Sequence, residues 1–141
     1  MTSDKEQNTE AKLESLATLA YDTIHWLERH RQECLFVGPQ LLDPSPISKL
    51  EMTAQLYFPE LKDKVFRISS AEVKYREWVI RSQKEIQETG PISETLIDDY
   101  SQIYQELHKS VFAVAEAAGD LIRGFNRQNN PKHSEKPHFL K

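Results

Sequence analysis

The chain has 141 residues, of which 28% are charged and 38% hydrophobic, with a formal net charge of −4. That length is one domain's worth, and the composition is polar but well short of the disordered extreme. The single cysteine, Cys34, excludes an internal disulfide, four glycines argue against a sheet with many tight turns, and no run reaches the length of a membrane span.

Charge is unevenly spread. Residues 1–46 carry 4 basic and 8 acidic groups, 47–90 carry 8 and 7, 91–126 carry 2 and 6, and 127–141 carry 4 and 1. The middle segment is thus the basic partner of two acidic ones. Residues 1–7 have no apolar core of a signal peptide. A lone cysteine suits a reducing compartment, so a cytoplasmic protein is expected.

Residues 1–9 are polar and are expected to form a flexible N-terminus. From about residue 10 the apolar residues fall at helical spacing. Leu13, Ala20, Leu27 and Cys34 repeat every seven, the signature of a seam against neighbouring helices. Helix 1 is predicted over 10–36, with Gly38-Pro39 stopping it. Leu41 and Leu42 in the following loop are expected to cap the core.

Ser45-Pro46 reads as the start of helix 2, predicted over 46–88. Its stripe runs Ile47, Leu50, Ala54, Tyr57, Leu61, Val65, Ile68, Ala71, Tyr75, Val79, Ile86, with a gap at Ser82-Gln83. Pro59 removes one helical hydrogen bond and restricts Phe58, yet the stripe keeps its phase. The expectation is one helix kinked at Pro59, or two nearly coaxial helices meeting at Phe58. On that reading Pro59→Ala straightens helix 2.

Thr89-Gly90-Pro91 ends helix 2. Helix 3 is predicted over 92–128, capped by Ser93 or begun by Pro91. Its stripe is Leu96, Tyr100, Ile103, Leu107, Val111, Val114, Ala118, Leu121, Phe125. Residues 10–128 then form one helical unit, and 129–141 a flexible basic tail. The predicted fold is all-α, an elongated up-down-up three-helix bundle with coiled-coil-like packing. In that register Pro59 meets Ala115, Ala118 and Gly119 of helix 3 and Ile24 to Trp26 of helix 1. Tyr57, Phe58, Phe66 or Trp26 would fill the space left by the small residues.

Candidate chemistry is sparse. Helical di-iron proteins need Glu-x-x-His pairs with further core glutamates, and the one such pair, Glu135 to His138, lies in the tail. His30 and Cys34, four apart, could face one metal, but further ligands are missing. The same two residues could be a nucleophile and its base, without an oxyanion hole or third group. No phosphate-binding glycine loop is present. Asp98-Asp99 suit the positive end of a helix dipole. No cofactor or metal is therefore expected.

Arg67, Lys74 and Arg81 repeat every seven along one face of helix 2. Such a stripe can track phosphates. It can equally pair with the acidic helices on either side. Trp26, Tyr57 and Phe58 could line an apolar pocket, although aromatics at helical spacing more often form plain core. The apolar faces are also wider than a two-residue seam, through Leu19, Trp26, Trp78, Val79, Ile80, Tyr104 and Phe112. A surplus apolar face marks an interface.

The expected function is non-enzymatic: a small cytoplasmic interaction or oligomerisation protein, such as an adaptor, antitoxin or immunity-type partner binder. Its partner would be another protein or a second copy. The competing readings are nucleic-acid binding through Arg67, Lys74, Arg81 and the tail, and a small-molecule or metal-binding bundle. No membrane role is expected.

Overall fold

The protein, seen as a computed structural model, is described over residues 4–37 and 44–129. Every regular element there is helical. The order is α1 (Asp4–Gln32) running into a π-helical turn (Glu33–Val37), α2 (Ile47–Tyr57), a 3-10 turn (Pro59–Leu61), α3 (Lys62–Thr89) and α4 (Glu94–Asn129). The all-α expectation holds, with four helices in place of three. Helix α1 starts at Asp4, earlier than the periodicity implied. The Gly38-Pro39 stop, Leu41, Leu42 and the basic tail beyond Asn129 lie outside the described residues.

Local chemistry sets the helix ends. The Ile47 amide donates to Ser45 Oγ at 3.2 Å, and the Leu50 amide to the Pro46 carbonyl at 3.1 Å. Proline fits there because its missing N–H has no partner in a first turn. Gly90 adopts φ 95°, a left-handed conformation that favours glycine, and its amide closes α3 on the Ile86 carbonyl. Ser93 Oγ accepts the Leu96 amide, and the Ser93 amide donates to Glu85 at 2.7 Å. Of the two candidate starts for this last helix, Ser93 as cap is the one formed.

The largest departure from expectation lies at Phe58. Its φ of −138° and ψ of 66° take the chain out of the helix, and Leu61 closes a tight turn on the Phe58 carbonyl at 2.9 Å. The chain then folds back. Ser69 Oγ donates to Glu51 Oε1 at 3.0 Å, across eighteen residues. A straight helix would hold those positions about 27 Å apart. The single kinked helix, or coaxial pair, is therefore replaced by two antiparallel helices. The apolar stripe keeps its phase because both helices face the same core.

Side-chain contacts fix the remaining directions. Trp26 and His30 of α1 meet Tyr75 of α3, and the Gln83 side chain reaches the Cys34 carbonyl, so α1 and α3 run parallel. Tyr21 meets Phe112 and Glu28 meets Tyr104, so α1 and α4 are antiparallel. Lys74 pairs with Glu106 and Arg81 with Asp99, so α3 and α4 are antiparallel too. The order is up-down-up-down. Helices α1 and α3 occupy one diagonal.

The expected register of helix 1 is corrected by the same contacts. Lys12 lies 4.1 Å over the Tyr57 ring, so the turn meets α1 near its start and not at Ile24 to Trp26. Parallel α1 and α3 require this, whereas the three-helix reading had them antiparallel. Of the residues expected to fill that level, Phe58 is buried, Tyr57 and Phe66 are exposed, and Trp26 is buried elsewhere. A Cβ at Gly119 would meet Arg123 of its own helix at 3.4 Å.

Helix α2 has 11 residues against 28 in α3, so it lines only part of the bundle. From the Glu51–Ser69 pairing, its first residue stands level with about residue 73 of α3. Beyond that level the space between α1 and α3 is filled by large side chains. Trp26, Tyr75 and Trp78 are buried there, and their rings touch in series.

Candidate functional site

Three features merit chemical scrutiny: the aromatic cluster beyond α2, the basic face of α3, and an apolar outer surface on α2 and α3.

The cluster brings His30 and Cys34 together, as their spacing implied. The Cys34 Sγ lies 3.5 Å from His30 Nδ1, and the Tyr75 hydroxyl lies 2.8 Å from the same nitrogen. Burial lowers the His30 pKa, with help from Arg76 and against Glu33 and Glu72. Burial and Glu33 push the Cys34 thiol up. Both shifts favour the uncharged forms. An activated nucleophile needs a thiolate beside an imidazolium, and these surroundings oppose it. Among the described residues no three His, Cys, Asp or Glu side chains gather to hold a metal ion.

Tyrosines continue the cluster onto α4. Trp78, Tyr100, Tyr104, His108 and Phe112 touch ring to ring, ending on Tyr21. Arg31 lies over the Tyr100 ring at 4.6 Å and Arg76 over Trp26 at 5.3 Å. Glu72, 4% exposed, is held by Arg76 at 3.1 Å. The i, i+4 spacing of Tyr100, Tyr104, His108 and Phe112 was visible in sequence. Their link to His30 through Tyr75 and Trp78 required knowing that α2 is short.

These tyrosines give the fold an alkaline limit. A hydrogen bond to Glu28, with burial, raises Tyr104 to about 12. Burial raises Tyr75 and Tyr100 as well. A raised folded pKa contributes stability below the unfolded value of about 10, lost as pH climbs toward the folded one. Melting temperature is therefore expected to fall across pH 10 to 12, and Tyr104→Phe to flatten that fall. An unchanged slope in Tyr104→Phe would remove this explanation. His30 acts at the acid end. Its lowered pKa gives stability held above about 6.5 and lost as pH drops below it.

Two of the three residues of the basic stripe pair with α4 at the protein surface. Lys74 lies 3.1 Å from Glu106, and Arg81 3.4 Å from Asp99. Arg67 lines a groove with Ser70, Lys74, Glu106, Lys109 and Ser110 between α3 and α4. Of the proposed pocket residues, Trp26 and Phe58 are core. Tyr57 lies beneath Lys12 on the outside. The structure does not bring these three together.

The apolar surface is the feature sequence reasoning located only in part. Phe66, Val73 and Ile80 of α3 are each more than half exposed, as are Met52 and Leu56 of α2. Their spacing of seven and four residues keeps each set on one helix face. The core side of α3 is Val65, Ile68, Ala71, Tyr75, Trp78, Val79 and Ser82. Phe66, Val73 and Ile80 point away from it. The core side of α2 is Ile47, Leu50 and Ala54, and Met52 and Leu56 point away in turn. The fold-back sets the two helices side by side. Between them lies a shallow groove lined by Glu51, Ala54, Gln55, Lys62, Asp63, Val65 and Phe66.

No family model, curated protein or solved structure matches this chain. No helix among the described residues is long and apolar enough to cross a membrane.

Proposed function

We propose that this is a non-enzymatic, cytoplasmic interaction protein whose docking surface is the outer face of α2 and α3. The observation that carries the reading is the set Met52, Leu56, Phe66, Val73 and Ile80, large apolar side chains gathered on two adjacent helices and left in water. Single exposed apolar residues are ordinary, but a set aligned on neighbouring helices suits a partner that buries it. The uncharged state favoured for Cys34 and His30 supports a structural role for that pair. Glu106 and Asp99 stand beside Lys74 and Arg81 on the surface, and acidic neighbours make that face a poorer track for phosphates.

A photo-crosslinking residue at position 77, one turn beyond Val73, tests this in the cells that make the protein. The expected result is a discrete protein adduct from position 77 and none from position 109 on α4. Equal adducts from both positions, or none from 77, would contradict the reading.

A further inference from the structure

Arg67 and Lys74 lie one position on from Phe66 and Val73, about 100° round α3, and so turn toward α4 and away from the docking surface. Two ion pairs fix the register of α3 on α4, Lys74 with Glu106 and Arg81 with Asp99. That register sets Ser70 opposite Ser110 and Ala71 opposite Lys109. Ser70, Ala71 and Ser110 are small, and they leave the seam between the two helices open. The result is a groove of about 300 Å³ with those three residues on its floor and Arg67, Lys74, Lys109 and Glu106 around them. That volume is at the lower end of the range for small-molecule clefts.

Donors outnumber acceptors in this groove. Among the described residues, Arg67 and Lys109 have no carboxylate within ion-pairing distance, and the Ser70 hydroxyl has no hydrogen-bond partner. Lys74 uses one of its three N–H groups on Glu106, at 3.1 Å. Ser110 Oγ donates to the Glu106 carbonyl at 2.8 Å, so its proton is already engaged. Three cations stand against one carboxylate, and two of the cations have no counter-charge. Their mutual repulsion falls when an anion sits between them. A phosphate monoester carries a charge of about −1.5 to −2 at pH 7 and three acceptor oxygens. It matches both the surplus charge and the unused donors of Arg67, Lys74, Lys109 and Ser70.

The acidic residues limit the ligand to one such group. A nucleic-acid strand needs cations along the whole stripe, and Glu106 and Asp99 interrupt that line. A single phosphate needs only the Arg67 end of it. Further along, the groove is lined by Glu77, Asp99 and Glu106 against Lys74 and Arg81, an acidic excess that repels a second phosphate. We propose that the α3/α4 groove at Arg67, Lys74 and Lys109 binds one phosphate group, free or carried on a small uncharged organic body. The site is separate from the docking face and does not depend on it.

Amide NMR of the full chain, titrated at constant ionic strength with inorganic phosphate and with glycerol 3-phosphate, tests the proposal. Saturable shifts are expected at residues 67, 70, 74, 109 and 110. Arg67→Ala and Lys109→Ala should each weaken binding several-fold, while Lys49→Ala on α2 leaves it unchanged. Glu106→Gln should tighten binding several-fold, because it removes the opposing charge and frees Lys74. All four side chains are exposed, so the fold should persist in each variant, and the amide spectrum itself shows whether it does. Tighter binding of glycerol 3-phosphate identifies a small organic phosphate as the ligand, and equal binding identifies free phosphate. Shifts that never saturate, or that spread evenly over the basic residues, overturn the site. So does a Glu106→Gln variant that binds no better than the wild-type chain.

Discussion

Trp78→Ala is expected to lower the free energy of unfolding by about 4 kcal/mol, a large part of what holds a domain of this size. The indole is nearly fully buried and stacks between Tyr75 and Tyr100. Its Nε1–H also donates to the Leu96 carbonyl at 2.7 Å, tying α3 to the first turn of α4. Truncation removes the packing and the donor together. It does so where α2 is absent and no fourth helix can close the gap. Trp78→Phe keeps most of the volume and loses the hydrogen bond, so a cost of about 1–2 kcal/mol is expected. Urea unfolding followed by far-UV circular dichroism measures both. Equal costs for the two variants would show that the bond, and not the packing, dominates.

Phe58→Ala is expected to cost about 3–5 kcal/mol, while Pro59→Ala beside it costs no more than about 1 kcal/mol. Phe58 is 3% exposed and sits at the point of reversal with Leu61, also buried. Pro59 is exposed. The proline helps end α2, but the burial of Phe58 and Leu61 selects the folded-back arrangement over a continued helix. In Pro59→Ala the reversal should therefore persist. The straightened helix 2 implied by the sequence should not form. The same urea titration separates the two variants. Equal losses would return the proline to the centre of the turn.

Much of the helical content was legible because period-3.6 stripes are strong signals. The caps at Ser45 and Ser93 and the stop at Gly90 followed from residue chemistry at the helix ends. The reversal at Phe58 was not legible. An unbroken stripe is equally consistent with one long helix and with two helices facing a common core, because phase records which side is buried and not where the chain goes next. The wrong register for α1 followed directly, since a three-helix bundle makes α1 antiparallel to α3. At the candidate site, Lys74 and Arg81 pair with α4 as the segment charges suggested. Ile80 was noted as surplus. Phe66, Val73, Met52 and Leu56 were not read as one face, because only the fold-back sets α2 beside α3.

That fold-back underlies both the proposed surface and the aromatic filling beyond α2, and one distance tests it. Spin labels at positions 51 and 69, in a Cys34→Ser background, report the separation of α2 from α3. The folded-back arrangement predicts a narrow distribution of about 10–20 Å, spanning two adjacent helices and the label arms. A distribution centred near 27 Å or beyond, the span of eighteen residues in a continuous helix, would contradict it.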